Sequence, residues 1–162
     1  MAYIQDIPSP VGSLRVWIHD GAVTRLDLPH HAQDDIPESV PSDDEMHLFR
    51  LCVDELNAYF SGRLQTFSLP LAPQGTPFQL RVWEQLKQIP YGQTLTYGEL
   101  ATRAGSPHGA RAAGMACHSN PIPILIPCHR VIGKNGSLTG FAGGLELKEK
   151  LLFLEKNGII PS

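Results

Sequence analysis

Pro70-Leu71-Ala72-Pro73-Gln74-Gly75-Thr76-Pro77-Phe78-Gln79 is where the chain changes character. Three prolines and Gly75 interrupt any regular element between Pro70 and Pro77. Thr76 and Gln79 then have the form of a capping box, with proline at the first helical position. The stretch therefore predicts a boundary, with a strand-rich unit over 1–75 and a mostly helical unit over 76–162.

On the near side, Ala2–Ile7, Leu14–His19 and Ala22–Leu28 are rich in Val, Ile, Trp and Leu, and read as strands. Asp20-Gly21 between the last two is a two-residue hairpin signal. Residues 29–44 form a surface loop, and Asp43 or Asp44 is the expected cap of a helix over 45–60. Its apolar residues Phe49, Cys52, Val53, Leu56 and Phe60 share one face, and Gly62 ends it. Thr66–Leu71 is expected to rejoin the sheet as a short strand.

On the far side, the helix from Pro77 should bury Phe78, Val82, Trp83 and Leu86 and stop before Pro90. Tyr91-Gly92-Gln93 is a turn. Thr96–Ala104 and Pro107–Ala116 are short helices around Gly105-Ser106, a helix-turn-helix candidate. A last helix spans Leu145–Lys156. The fold class is α+β.

The chain has 162 residues, 42% of them apolar and 18% charged, enough for one compact domain or two small ones sharing a core. Three cysteines cannot all pair within the chain, which favours a reducing compartment. Asp6, Pro8, Pro10 and Arg15 interrupt the first twenty residues, so no signal peptide is expected. The longest stretch without Asp, Glu, Lys or Arg, Ala112 to His129, holds three prolines and is no membrane span. Residues 1–75 carry four Lys/Arg against eleven Asp/Glu, or −7; residues 76–162 carry nine against five, or +4. A nucleic-acid partner would meet the second half, although uneven charge is also common in soluble proteins.

Pro121-Ile-Pro-Ile-Leu-Ile-Pro127-Cys128-His129-Arg130-Val131 is the strongest chemical signal. Its prolines predict a stiff, extended backbone that ends in a cysteine beside His129 and Arg130. A thiolate is a nucleophile, and nearby His or Arg lowers a thiol pKa. On a strand, neighbours point to opposite sides, so His129 would reach Cys128 through a water or a turn. Cys52 and Cys117 read as small buried hydrophobes.

These residues resemble the active-site motif of the O6-alkylguanine-DNA alkyltransferases, the methylated-DNA–protein-cysteine methyltransferases. The resemblance extends to Tyr91–Ala101, Ala110–Gly114, Gly140–Leu145 and Lys148 through Glu155. It implies an RNase-H-like first domain of supporting role and a second domain that binds DNA and carries the chemistry. It implies transfer of an alkyl group from guanine O6, and from thymine O4, in double-stranded DNA to Cys128. Each molecule would act once, with no cofactor.

The same resemblance assigns roles. His129 takes the thiol proton through a water, and Glu155 holds the imidazole; the sulfur is expected to be held deprotonated. Asn120 braces the paired helices against the active-site strand. Tyr97 donates toward the leaving base. Backbone of Ala142 meets O6, carbonyls of Cys128 and Val131 take the guanine amine, and Lys148 lies near the pocket with Phe141 and Gly143. Arg111 enters the base stack through the minor groove as the target base flips out, and Ser106 or nearby helix-start N–H groups hold phosphate. Read without the resemblance, Tyr97 is half-buried core, Asn120-Pro121 an ordinary turn, Glu155 and Lys148 helix surface, and Arg111 a surface residue on a tightly packed helix.

Residues 1–51 contain no cysteine, and His19, His30, His31 and His47 lack regular ligand spacing, so no zinc site is expected. The expected protein is a cytoplasmic monomer that needs no membrane or protein partner; cooperativity on DNA stays open. Two rival readings are a lesion-binding protein without transfer, disfavoured by the presence of Cys128, and a Cys-His hydrolase, which leaves the paired helices unexplained.

Overall fold

Alternating apolar residues at Leu14, Val16 and Ile18 give β2 (Leu14–His19) a buried face. It pairs antiparallel with β1 (Tyr3–Ile7) and β3 (Ala22–Asp27) in the order β1-β2-β3. Asp20-Gly21 makes the predicted two-residue turn, with His19 opposite Ala22. The computed structural model describes residues 2–29, 34–138, 141 and 143–161.

Helix α1 (Asp43–Phe60) packs on β2 and buries Leu48, Cys52, Leu56, Tyr59 and Phe60. It starts two residues before the expected Glu45 because Ser42, not Asp43 or Asp44, is its cap. Ser42 and Glu45 exchange side-chain-to-backbone hydrogen bonds. The expected strand over 66–71 is reduced to a single bridge between Val23 and Leu71. Val23 N–H donates to Pro70 O at 2.9 Å and Ala72 N–H to Val23 O at 2.8 Å. Pro70 and Pro73 lack the N–H groups a longer ladder needs.

Past the boundary, α2 (Pro77–Lys87) begins at the predicted Thr76–Gln79 box and buries Val82, Trp83 and Leu86, while Phe78 is half-buried. Helices α3 (Tyr97–Arg103) and α4 (Ala110–His118) pack together across a turn over 104–109. Helix α4 starts later than Pro107 because Gly109 N–H closes on Ser106 O, using 107–109 as turn. Trp83 Nε1 donates to Ala116 O at 2.8 Å and ties α2 to α4.

Two short strands went unforeseen. β4 (Leu95–Thr96) pairs in parallel with β5 (Val131–Ile132), and so joins the start of α3 to the end of the cysteine segment. The last helix, α5 (Leu145–Asn157), runs one residue past expectation. A single cluster of buried side chains includes residues from both halves. The ends of α1 and α5 nearly touch: a Cβ on Gly62 would collide with the carbonyl of Gly158. Among the described residues no helix is long and apolar enough to cross a membrane.

Candidate active site

The segment over 120–127 is folded back, not extended as its prolines suggest. Ile126 N–H donates to Ile122 O at 2.9 Å, and Ile124 takes a φ of 72°. Asn120 holds this loop closed. Its Nδ2 donates to Ile126 O at 2.8 Å, and its Oδ1 accepts from Ile122 N–H at 3.0 Å. Pro121 O accepts from Leu26 N–H at 2.9 Å, anchoring the loop to β3. Proline still matters here, because it stiffens the segment and removes donors a buried loop would have to satisfy.

Cys128, His129 and Arg130 form one 3-10 turn, where a strand was expected. Such a turn has three residues per revolution, so the three side chains leave in three directions. Cys128 lies beside Asn120 and within the fields of Lys148 and Cys117. Both His129 and Arg130 are buried and turn toward α5.

Glu155 on α5 gathers five donors. Oε2 accepts from His129 Nε2 at 2.7 Å, Tyr59 Oη at 2.6 Å and Arg130 Nη2 at 3.0 Å. Oε1 accepts from Arg130 Nε at 2.8 Å and Gly92 N–H at 3.1 Å. Burial opposes ionisation of this carboxyl, but the hydrogen bonds from His129 and Arg130 and the Arg130 charge outweigh it and hold it far below the usual carboxylate range. Arg130 Nη1 also donates to Ile89 O at 2.7 Å. The guanidinium is thus committed to Glu155 and Ile89 and does not serve the thiol, contrary to the sequence expectation.

An ionised Glu155 fixes the imidazole. Nε2 must carry the proton it donates, which leaves the Nδ1 lone pair as the basic site. Nδ1 is buried and has no hydrogen-bond partner among the described residues. Burial pushes the His129 pKa down more than Glu155 raises it, so the ring rests neutral. Burial also pushes the Cys128 thiol up, to about 11, against the opposing pull of Asn120 and Lys148. The resting sulfur is a thiol, which corrects the expectation of a sulfur held deprotonated. Cys52, pushed to about 12 by burial, and Cys117, higher still, are buried as expected.

Lys148, expected near the helix surface or the pocket, is wholly buried, and its Nζ donates to Val131 O. It lies over the Tyr97 ring at 5.9 Å, so β5, α3 and α5 meet beside Cys128. Val131 O thus already serves one donor, leaving its second lone pair for a ligand. Phe141 is buried, and Gly143 is enclosed by Leu28, Leu147 and Phe141, where a Cβ would lie 2.7 Å from either leucine. Ala142 lies outside the described residues, as do His30 and His31. Arg111 and Ser106 stand apart from this cluster, Arg111 exposed on α4 and Ser106 half-buried in the preceding turn.

Comparison with known proteins covers both halves. Residues 3–73 match the model of the 6-O-methylguanine DNA methyltransferase ribonuclease-like domain, and residues 77–157 that of its DNA binding domain. The chain belongs to the 6-O-methylguanine DNA methyltransferase family. It is 45% identical to the methylated-DNA–protein-cysteine methyltransferase of Methanosarcina barkeri over 97% of this chain and 99% of that protein. It resembles the Mycobacterium tuberculosis OGT solved in complex with DNA, with 44% identity and a TM-score of 0.86 over 97% and 94% of the two chains. The O6-methylguanine DNA methyltransferase of Methanococcus jannaschii shares the fold at 26% identity and a TM-score of 0.69, covering 98% of this chain and 96% of that one.

For this 6-O-methylguanine DNA methyltransferase family member, sequence reasoning missed two members of the Glu155 cluster. Gly92 was read only as a turn, and Tyr59 was overlooked. The signal for Tyr59 was present: it follows Cys52 and Leu56 at helical spacing on the buried face of α1. A tyrosine in such a stripe needs a partner for its hydroxyl.

Proposed function

We propose that this chain is a DNA-repair alkyltransferase that moves the alkyl group of O6-alkylguanine in double-stranded DNA onto its own Cys128. The observation that carries the reading is the buried His129–Glu155 pair, with an unpartnered His129 Nδ1, on the same turn as Cys128. The sulfur–carbon bond forms as the carbon–O6 bond breaks. The thiol proton passes through one bridging water to Nδ1 of His129, and Tyr97 donates toward the departing guanine. The imidazolium then gives its proton to water and Tyr97 regains one from water, so the proton lost by sulfur balances the one gained by the base. Because the resting thiol is protonated, its deprotonation accompanies attack. Alkyl carbon is a soft electrophile, so sulfur attacks it without a metal or organic cofactor. The thioether has no ready exit, and each molecule acts once. O4-alkylthymine offers the same alkyl–oxygen electrophile.

Residues 76–162 carry this chemistry and the DNA contact, with residues 1–75 as supporting domain. Helices α3 and α4 form a helix-turn-helix that enters the minor groove. The face of α4 opposite its buried Ala113, Ala116 and Cys117 carries Arg111, Met115 and His118 in one row. Ala110, Ala112 and Gly114 flank that row and leave room for close approach. Arg111 replaces the base that flips out, at an unstacking cost of a few kcal/mol, roughly, per step. Helix α4 has no side-chain cap, so its first N–H groups, with Ser106, are placed to take phosphate. Asn120 orients the loop that presents Cys128. Carbonyls of Cys128 and Val131 hold the guanine amine, and Phe141, Gly143 and Lys148 shape the pocket. The protein works as a cytoplasmic monomer.

The test is incubation with duplex DNA labelled on the O6-methyl group, followed by digestion. Label on the Cys128 peptide, absent in Cys128→Ser, is the expected result. Tight lesion binding without transfer would instead indicate a binding protein, and burst hydrolysis of an ester a hydrolase.

A further inference from the structure

Tyr59 belongs to the half of the chain given a supporting role, yet its hydroxyl is inside the site. It is fully buried and donates to Glu155 Oε2 at 2.6 Å, the oxygen that also receives His129 Nε2. The hydroxyl is 3.5 Å from His129 Nε2 itself. We propose that Tyr59 is a positioning residue of the proton relay, through which the N-terminal domain fixes how strongly Glu155 holds the His129 imidazole.

The placement has structural causes. Gly62 and Gly158 let the ends of α1 and α5 approach backbone to backbone, which brings Tyr59 over Glu155. Ring contacts with Phe60, Phe67 and Tyr91, at centroid distances of 5.4, 5.2 and 6.2 Å, lock the phenol in orientation. The hydroxyl can only serve as a donor here. Burial and the Glu155 charge push its ionisation well above the ordinary range. A hydrogen bond given to Oε2 draws charge away from the bond that Oε2 accepts from His129. Removing it leaves Oε2 a stronger acceptor and favours the protonated ring. Arg130 and Gly92 still hold the carboxylate, so the cluster keeps its geometry.

The inference deepens the alkyl-transfer reading, but its test needs no DNA. Tyr59→Phe keeps the ring and removes only the hydroxyl. The ring nitrogens of His129 are titrated by NMR, and the rate of Cys128 alkylation by iodoacetamide is followed against pH by peptide mass. Thermal unfolding confirms that the variant is folded. The expected result is an upward shift of the His129 midpoint by about half a pH unit. The alkylation rate then falls on the acid side of the profile and is unchanged on its plateau. A profile superimposable on wild type overturns the inference. So does an equal loss of rate at every pH, which marks a packing role alone. If methyl transfer from DNA fails while the shift is seen, the alkyl-transfer reading falls and Tyr59 keeps its place in the cluster.

Discussion

Around Glu155, five donors meet one carboxylate at 2.6–3.1 Å, and the side chains that supply them come from α1 and the Cys128–Arg130 turn. On the outer face of α4, Arg111, Met115 and His118 stand exposed among small residues. In the first region a single lost partner leaves a charge stranded in low dielectric. In the second, on the proposed reading, contacts form only when DNA arrives, and water serves in the meantime. Changes at the buried cluster should therefore alter stability and chemistry together. Changes on α4 should alter only encounters with duplex.

Glu155→Gln carries the largest expected effect. It strands the buried Arg130 guanidinium, removes the negative charge facing His129 and turns one of two acceptor oxygens into a donor, so destabilisation of about 3–5 kcal/mol is expected. Loss of general-base assistance should slow transfer by roughly 10²–10⁴. Thermal unfolding and single-turnover rates measure both; a stable, fully active variant would place the cluster outside the mechanism. The pH dependence has a definite sign. A carboxyl depressed in the folded state gives its full stabilisation above about pH 4.3 and loses it as the pH falls further. Denaturant titrations at several pH values should show that acid limb in wild type and a flatter one in Glu155→Gln.

Arg111→Ala comes next. Repair of a lesion in duplex should slow by roughly 100-fold, the size of a lost unstacking contribution of about 3 kcal/mol. Reaction with free O6-benzylguanine should keep its rate. Equal slowing on both substrates would remove the extrusion role. The slope of log Kd against log salt should also fall by about one phosphate contact.

Met115→Ala is the mildest. An apolar side chain in the groove releases no counterions, so duplex binding should weaken a few-fold, by roughly 1 kcal/mol of lost apolar contact, with the salt slope unchanged. A changed slope, or no change in Kd, would take Met115 out of the DNA face.

Local signals carried much of this architecture. The Asp20-Gly21 turn and the Thr76–Gln79 cap are decided by neighbours in sequence, and both form where expected. The histidine and the glutamate were legible from the Pro127–Val131 motif and the apolar neighbours of Glu155, and those two meet in space, with Cys128 on the same turn as His129. What escaped depends on distant partners. The pairing of Leu95 with Val131 is a long-range contact between two-residue strands, too short to leave a pattern. Tyr59 reaches Glu155 only because two helix ends converge at glycines. The charge state of Cys128 was misjudged because adjacency to His129 and Arg130 does not reveal burial, which is what pushes the thiol up.

The most direct check on Cys128 as the final acceptor is a count. The protein is incubated to completion with an excess of duplex bearing O6-methylguanine, and the methyl groups transferred per chain are measured by intact and peptide mass. The account predicts a plateau at one methyl per chain, all of it on the Cys128 peptide. Lesion removal that continues past that plateau, or methyl found on another residue, would contradict it.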